Sequence, residues 1–221
     1  KEIFLYGDSY AFARQVNDDE TWAHHLSNAL QKNIVNKGVG NYGIDQALIR
    51  LEREPEAKQC RMHIMAVVPE TIGRVHSVWK HYSEYGNTLA FKPRFYSVGD
   101  ELNMISNLLN AEKKFEDIAS LGLAAREHDY FYSRKFMQDI FKFPYSLCLW
   151  RENGRNIKLL YAAFLDLFDH GERAFVSVMR RNIEFSARMF REPETVSLLK
   201  SIILRFSNFS KANDIVPLFV L

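Results

Sequence analysis

The sequence predicts an α/β protein. The expected form is a three-layer α/β/α sandwich around a parallel sheet, interrupted by a largely helical insertion. Three observations predict it. Over the first seventy residues, short apolar runs alternate with amphipathic stretches, the rhythm of strand, turn and helix. The first two of those runs each lead into a glycine-bearing turn, as buried strands of a parallel sheet do. The rhythm is then lost from about residue 83 to about residue 193 and returns as one amphipathic helix followed by a last apolar run. With 221 residues, 47% of them hydrophobic, the chain is long enough for one substantial core carrying such an insertion.

Ile3 to Tyr6 reads as the first strand, closed by Gly7. Asp18, Asp19 and Glu20 place acids where a helix dipole favours them, and Trp22, His25, Leu26, Ala29 and Leu30 follow at helical spacing. Asn33 to Asn36 is a second short strand, and Gly38-Val39-Gly40-Asn41-Tyr42-Gly43 is a glycine-rich turn. Asp45 to Arg53 is a helix with Ala47, Leu48 and Leu51 on one face. Met62 to Val68 is a third, wholly apolar strand ended by Pro69. Beyond it, Lys92-Pro93-Arg94-Phe95 and Val98-Gly99-Asp100 read as loops. The stretches 111–121, 126–141 and 156–168 read as helices of the insertion. The aromatic residues Phe131, Tyr132, Phe136, Phe141, Phe143 and Tyr145 read as its core, or as part of a lid. Pro193 breaks the chain, and Thr195 to Phe209 is a helix with Val196, Leu199, Ile202, Ile203 and Phe206 on its buried side. Ile215 to Leu221 is the terminal strand.

A formal net charge of +2 gives no reason to expect nucleic acid as a partner. No apolar run approaches the roughly 20 residues of a membrane span. Cys60 and Cys148 form no metal-ligand pattern and read as two buried thiols. No histidine pair has zinc-site spacing, and no phosphate-binding loop sequence occurs. The first and last residues fall inside strand-like runs, so a chain trimmed at both ends is expected. The compartment stays open: cytoplasmic, or bacterial periplasmic or secreted if a leader has been removed. The oligomeric state is equally open.

The chemistry-bearing residues cluster at strand ends. Gly7-Asp8-Ser9 follows the first strand, so Ser9 sits at its carboxyl end, where open α/β sheets place ligands. A serine amide at such a turn can face a developing oxyanion. The same tripeptide also suits an ordinary helix cap. The turn from Asn36 to Gly43 ends the next strand, and its amides can form an anion-binding nest. Adjacent parallel strands bring both turns to one sheet edge.

These segments resemble the SGNH/GDSL hydrolases, whose scaffold is flavodoxin-like. Phe4-Leu5-Tyr6-Gly7-Asp8-Ser9 looks like the first block, Glu20-Thr21-Trp22 with His25-Leu26 like the segment after it, and Val35 to Gly43 with Asp45-Gln46-Ala47-Leu48 like the second block. The resemblance covers about residues 2–70 and again 212–221. It implies Ser9 as nucleophile and a backbone donor at Asn41, with Gly38 and Gly40 shaping the turn. The implied reaction is ester hydrolysis through an acyl-enzyme, on an O-acylated carbohydrate or a small acyl ester, with no metal or organic cofactor. Two departures stand out. The third-block asparagine position falls on or near Glu70, and an ionised carboxylate accepts hydrogen bonds without donating any. Asn41, Thr71 and Arg74 are candidate replacement donors, and Arg74 or Arg94 could instead hold an anionic part of a substrate. The family's closing Asp-x-x-His, which supplies the base and its orienting acid, is not in the sequence, so both are expected beyond Leu221. Among the histidines, His81 could approach Ser9, whereas His63 reads as a satisfied core residue. Two other functions use the same scaffold: a non-catalytic relative that binds glycan or protein, and an O-acyltransferase.

Overall fold

The computed structural model describes residues 2–84, 90–99, 101–110, 115–140 and 142–221. Strands β1 (Ile3–Gly7), β2 (Ile34–Asn36), β3 (Met62–Ala66) and β6 (Val216–Val220) form a parallel sheet in the order β2-β1-β3-β6. A separate antiparallel hairpin pairs β4 (Arg94–Val98) with β5 (Glu101–Ile105). The helices are α1 (Ser9–Phe12), α2 (Trp22–Leu30), α3 (Ile44–Arg53), α4 (Lys80–Ser83), α5 (Ile118–Ala125), α6 (Met137–Asp139), α7 (Tyr145–Arg151), α8 (Asn153–Asp169), α9 (Arg173–Met189) and α10 (Pro193–Ala212). Short 3-10 turns fill several connections, the longest at Pro69–His76 after β3.

Every residue of β1 is buried, so its side chains must satisfy both faces of the sheet. Alternation divides them. Ile3 and Leu5 join Ile64 and Ala66 of β3 in one cluster with Ala11, Ala23 and Leu26. Phe4 and Tyr6 join Met65 in the larger cluster with Leu48 and Leu51 of α3 and Ile202 and Phe206 of α10. Thus α2 covers one face and α3 with α10 the other. Fully burying one such leucine or isoleucine contributes about 1.5–3 kcal/mol. β6 is the outermost strand, and its residues alternate between exposed and half-buried.

The expected elements at 3–6, 33–36, 45–53, 62–68, 195–209 and 215–221 all form, to within three residues at each end. Three expectations need correction. The stretches read as loops around Arg94–Phe95 and Val98–Gly99 are instead strands and their turn, with Gly99 at φ +58° (Asp100 lies outside the described residues). Pro193 starts α10 rather than breaking the chain, because a first-turn proline gives up no intrahelical hydrogen bond. Phe143 and Tyr145 are exposed and form no core; Phe131 is buried and Tyr132 and Phe136 pack against it, while Phe141 is outside the described residues, as are residues 111–114 of the helix expected at 111–121. α9 has no counterpart among the expected helices. Cys60 is buried as expected, its thiol donating to Ala57 O, whereas Cys148, also expected to be buried, is only half-buried. Among the described residues no helix is long and apolar enough to cross a membrane.

Candidate active site

Strand order places the site. From β1 the chain passes to β2 on one side, and β3 then lies on the other, so the connections diverge around the carboxyl end of β1. A crevice opens where strand order reverses in this way, and Gly7-Asp8-Ser9 stands at it. Asp8 is wholly buried and caps α1 by accepting from Tyr10 N at 2.9 Å. Its other oxygen accepts from Thr71 Oγ1 at 3.1 Å and Val68 N at 3.4 Å, which ties the turn to the end of β3. The carboxylate therefore braces two strand ends and is spent on that task. Ser9, the next residue, is half-exposed.

The second turn lies beside the first. Val39 N donates to Gly7 O at 3.1 Å, and Lys37 N to Leu5 O at 2.7 Å. Asn36 reinforces both turns: its amide donates to Ala11 O and its carbonyl oxygen accepts from Gly38 N. Gly38 is where the turns touch, because a Cβ there would lie 2.5 Å from Phe12 N. Gly40 has open space around it. The left-handed residue of the turn is Asn41, at φ +68°. Asparagine tolerates that conformation better than most residues. Lys80 Nζ donates to Asn41 Oδ1, and burial of Lys80 lowers its pKa. Among the described residues neither Ser9 N nor Asn41 N donates a hydrogen bond, so both amides remain available to an oxyanion.

Arg74 is half-buried and donates to Tyr42 O at 2.8 Å, which holds the same loop. Glu70 is exposed at the first turn after β3. Both residues line a cleft of about 210 Å³, together with Tyr10, Thr71 and, from α9, Asn182 and Ile183. The helix missed in the sequence thus roofs the cleft. Its apolar spacing alone does not say what it covers.

Arg94 is buried and donates to the carbonyls of His76 and His128, so it braces the fold and does not face the cleft. His81 packs at a tilt against Trp79 and Phe136, and burial lowers its pKa. His63 is satisfied in the core by Ser210 and the Ala57 carbonyl. His76 is buried against Thr195. His24 and His25 lie on α2, His128 precedes Asp129 and Tyr130, and His170 ends α8. Among the described residues no histidine is hydrogen-bonded to Ser9. Comparison with protein-family models, with curated proteins and with solved structures finds no match to this chain.

Proposed function

We propose that the chain carries the nucleophile and oxyanion elements of a serine ester hydrolase, on a three-layer α/β/α sandwich of the SGNH type. Residues from about 83 to 193 are then an insertion that roofs the cleft. The observation that carries this reading is the pinned turn: Asp8 locks Gly7-Asp8-Ser9 to the end of β3 and leaves Ser9 half-exposed at the reversal of strand order. Ser9 Oγ attacks the ester carbonyl and gives its proton to a base, while Ser9 N and Asn41 N receive the oxyanion. The alcohol leaves with that proton, and water then releases the acid by the same steps. Ser9 and Asn41 do not line the cleft of about 210 Å³, which begins at the neighbouring Tyr10, and a small acyl group is the part of the substrate that this reading assigns to it. The alcohol portion, a sugar or another small alcohol, would extend into solvent.

A serine needs a base, and among the described residues no histidine is hydrogen-bonded to Ser9. With no such base beside Ser9, the reading expects only slow turnover from the 221-residue chain by itself. The test is exposure to a fluorophosphonate with intact-mass detection, on the complete gene product beside a Ser9→Ala control. An adduct lost in the control supports an activated Ser9. No adduct on the complete product overturns the hydrolase.

One observation favours a second reading, a non-catalytic binding relative: Glu70 in the cleft cannot, when ionised, donate to an oxyanion. Glycan retention without an adduct would identify it. An O-acyltransferase would label like the hydrolase and differ by acyl transfer to an added sugar.

A further inference from the structure

α8 carries its apolar stripe on the wrong side for its own chain. Ile157, Leu160, Tyr161, Phe164, Leu167 and Phe168 are all 53–77% exposed. At 100° per residue they share an arc of about 120°. The half-buried Leu159, Ala162 and Asp166 lie on the opposite side, and Asp166 accepts from the first amides of α9. Phe164 and Phe168 pack edge to face on the surface, 4.9 Å between ring centres.

We infer that this stripe is the two-fold seam of a homodimer, with α8 packed antiparallel against α8 of a second copy. The spacing is that of a helix–helix seam, with Ile157, Leu160, Phe164 and Leu167 repeating at alternating steps of three and four. The area suffices. Taking about 200 Å² for an exposed aromatic side chain, the six leave roughly 700 Å² of surface in water. Specific interfaces begin at about 600 Å² from each partner.

The stripe is also complementary to itself when reversed. Reversed about its midpoint, the stripe sets Ile157 level with Phe168 and Tyr161 level with Phe164 of the second copy. A lipid surface is a poorer match. Helices that lie on membranes are rich in Lys and Arg, and Lys158 is the one exposed cation of α8.

The test is the mass in solution of the 221-residue chain over a hundredfold concentration range, by light scattering after size exclusion. A dimer is expected. Leu160→Glu with Phe164→Glu should give a monomer with unchanged circular dichroism, whereas Leu204→Glu, on an equally exposed site of α10, should remain dimeric. In a Cys148→Ser background, Phe164→Cys lies near the two-fold axis and should cross-link. Leu167→Cys should not, its Cα atoms being about 13 Å apart along the seam. A monomer at every concentration overturns the inference. So does a dimer indifferent to the double substitution, or equal cross-linking at both sites. A monomer that co-sediments with phosphatidylcholine vesicles would assign the stripe to lipid and overturn it equally.

Discussion

Gly38 and Gly40 look equivalent in the sequence, and the structure separates them. A Cβ on Gly38 would lie 2.5 Å from Phe12 N, 2.8 Å from Ala11 C and 3.0 Å from Ala11 Cβ. Two of those atoms are backbone, in the short helix that follows Ser9, so relief requires the two turns to part. Overpacking costs about 1–3 kcal/mol where side chains can yield, and here the upper end applies. A Cβ on Gly40 meets nothing within 4 Å, and its φ is outside the left-handed region. Gly40→Ala should therefore be neutral, or stabilising by up to about 1 kcal/mol through the unfolded chain. Urea unfolding followed by circular dichroism measures both. Gly38→Ala is expected to lower the unfolding free energy by about 3 kcal/mol with the slope unchanged. Equal effects of the two substitutions would refute the argument that the turns touch at Gly38.

The same kind of measurement applies to Asp8. Asp8→Ala should cost about 3 kcal/mol, since it strips the acceptor from Tyr10 N, Thr71 Oγ1 and Val68 N, while Asp8→Asn keeps one oxygen and should cost roughly half as much; equal costs would show that the carboxylate does not bridge the strand ends. Burial first, and then the neighbouring Arg94, Arg134 and Lys92, push the pKa of His76 down to about 3. Below its ordinary value of 6.5 the unfolded chain takes up a proton that the folded chain refuses, so stability falls between about pH 6.5 and pH 3. The loss from His76 at pH 5 is about 2 kcal/mol, and His76→Gln should remove that part of the acid slope between pH 7 and pH 5. Lys80→Met releases the Asn41 side chain and should slow fluorophosphonate labelling of Ser9 roughly tenfold in the complete gene product without lowering the melting temperature of the sheet; an unchanged labelling rate would remove Lys80 from the positioning of that turn.

Much of the strand-and-helix layout was legible because each element announces its own buried face. Ile3 to Tyr6 is apolar throughout and Met62 to Ala66 is apolar apart from His63, as suits strands buried on both faces. Ala47, Leu48 and Leu51 mark the inner side of α3. His63 sits inside such a strand and was readable as a satisfied core residue. The hairpin of β4 and β5 was not legible, since β4 is short, flanked by Pro93 and Gly99, and its Arg-Phe-Tyr-Ser-Val run has no regular alternation of apolar and polar residues.

Residue order alone carries the parallel α/β pattern, with a serine and a glycine-rich turn at the ends of its first two strands. Local periodicity is enough for that, because it records which face of an element is buried. What lies across from those faces is set by the packing of distant segments. It paired Asp8 with Thr71, laid α9 over Glu70 and Arg74, and set Asn41 against Lys80. It also left the stripe of α8 facing outward. Each of these joins residues dozens of positions apart, or depends on what is missing opposite a helix, and a period of 2 or 3.6 carries no record of either.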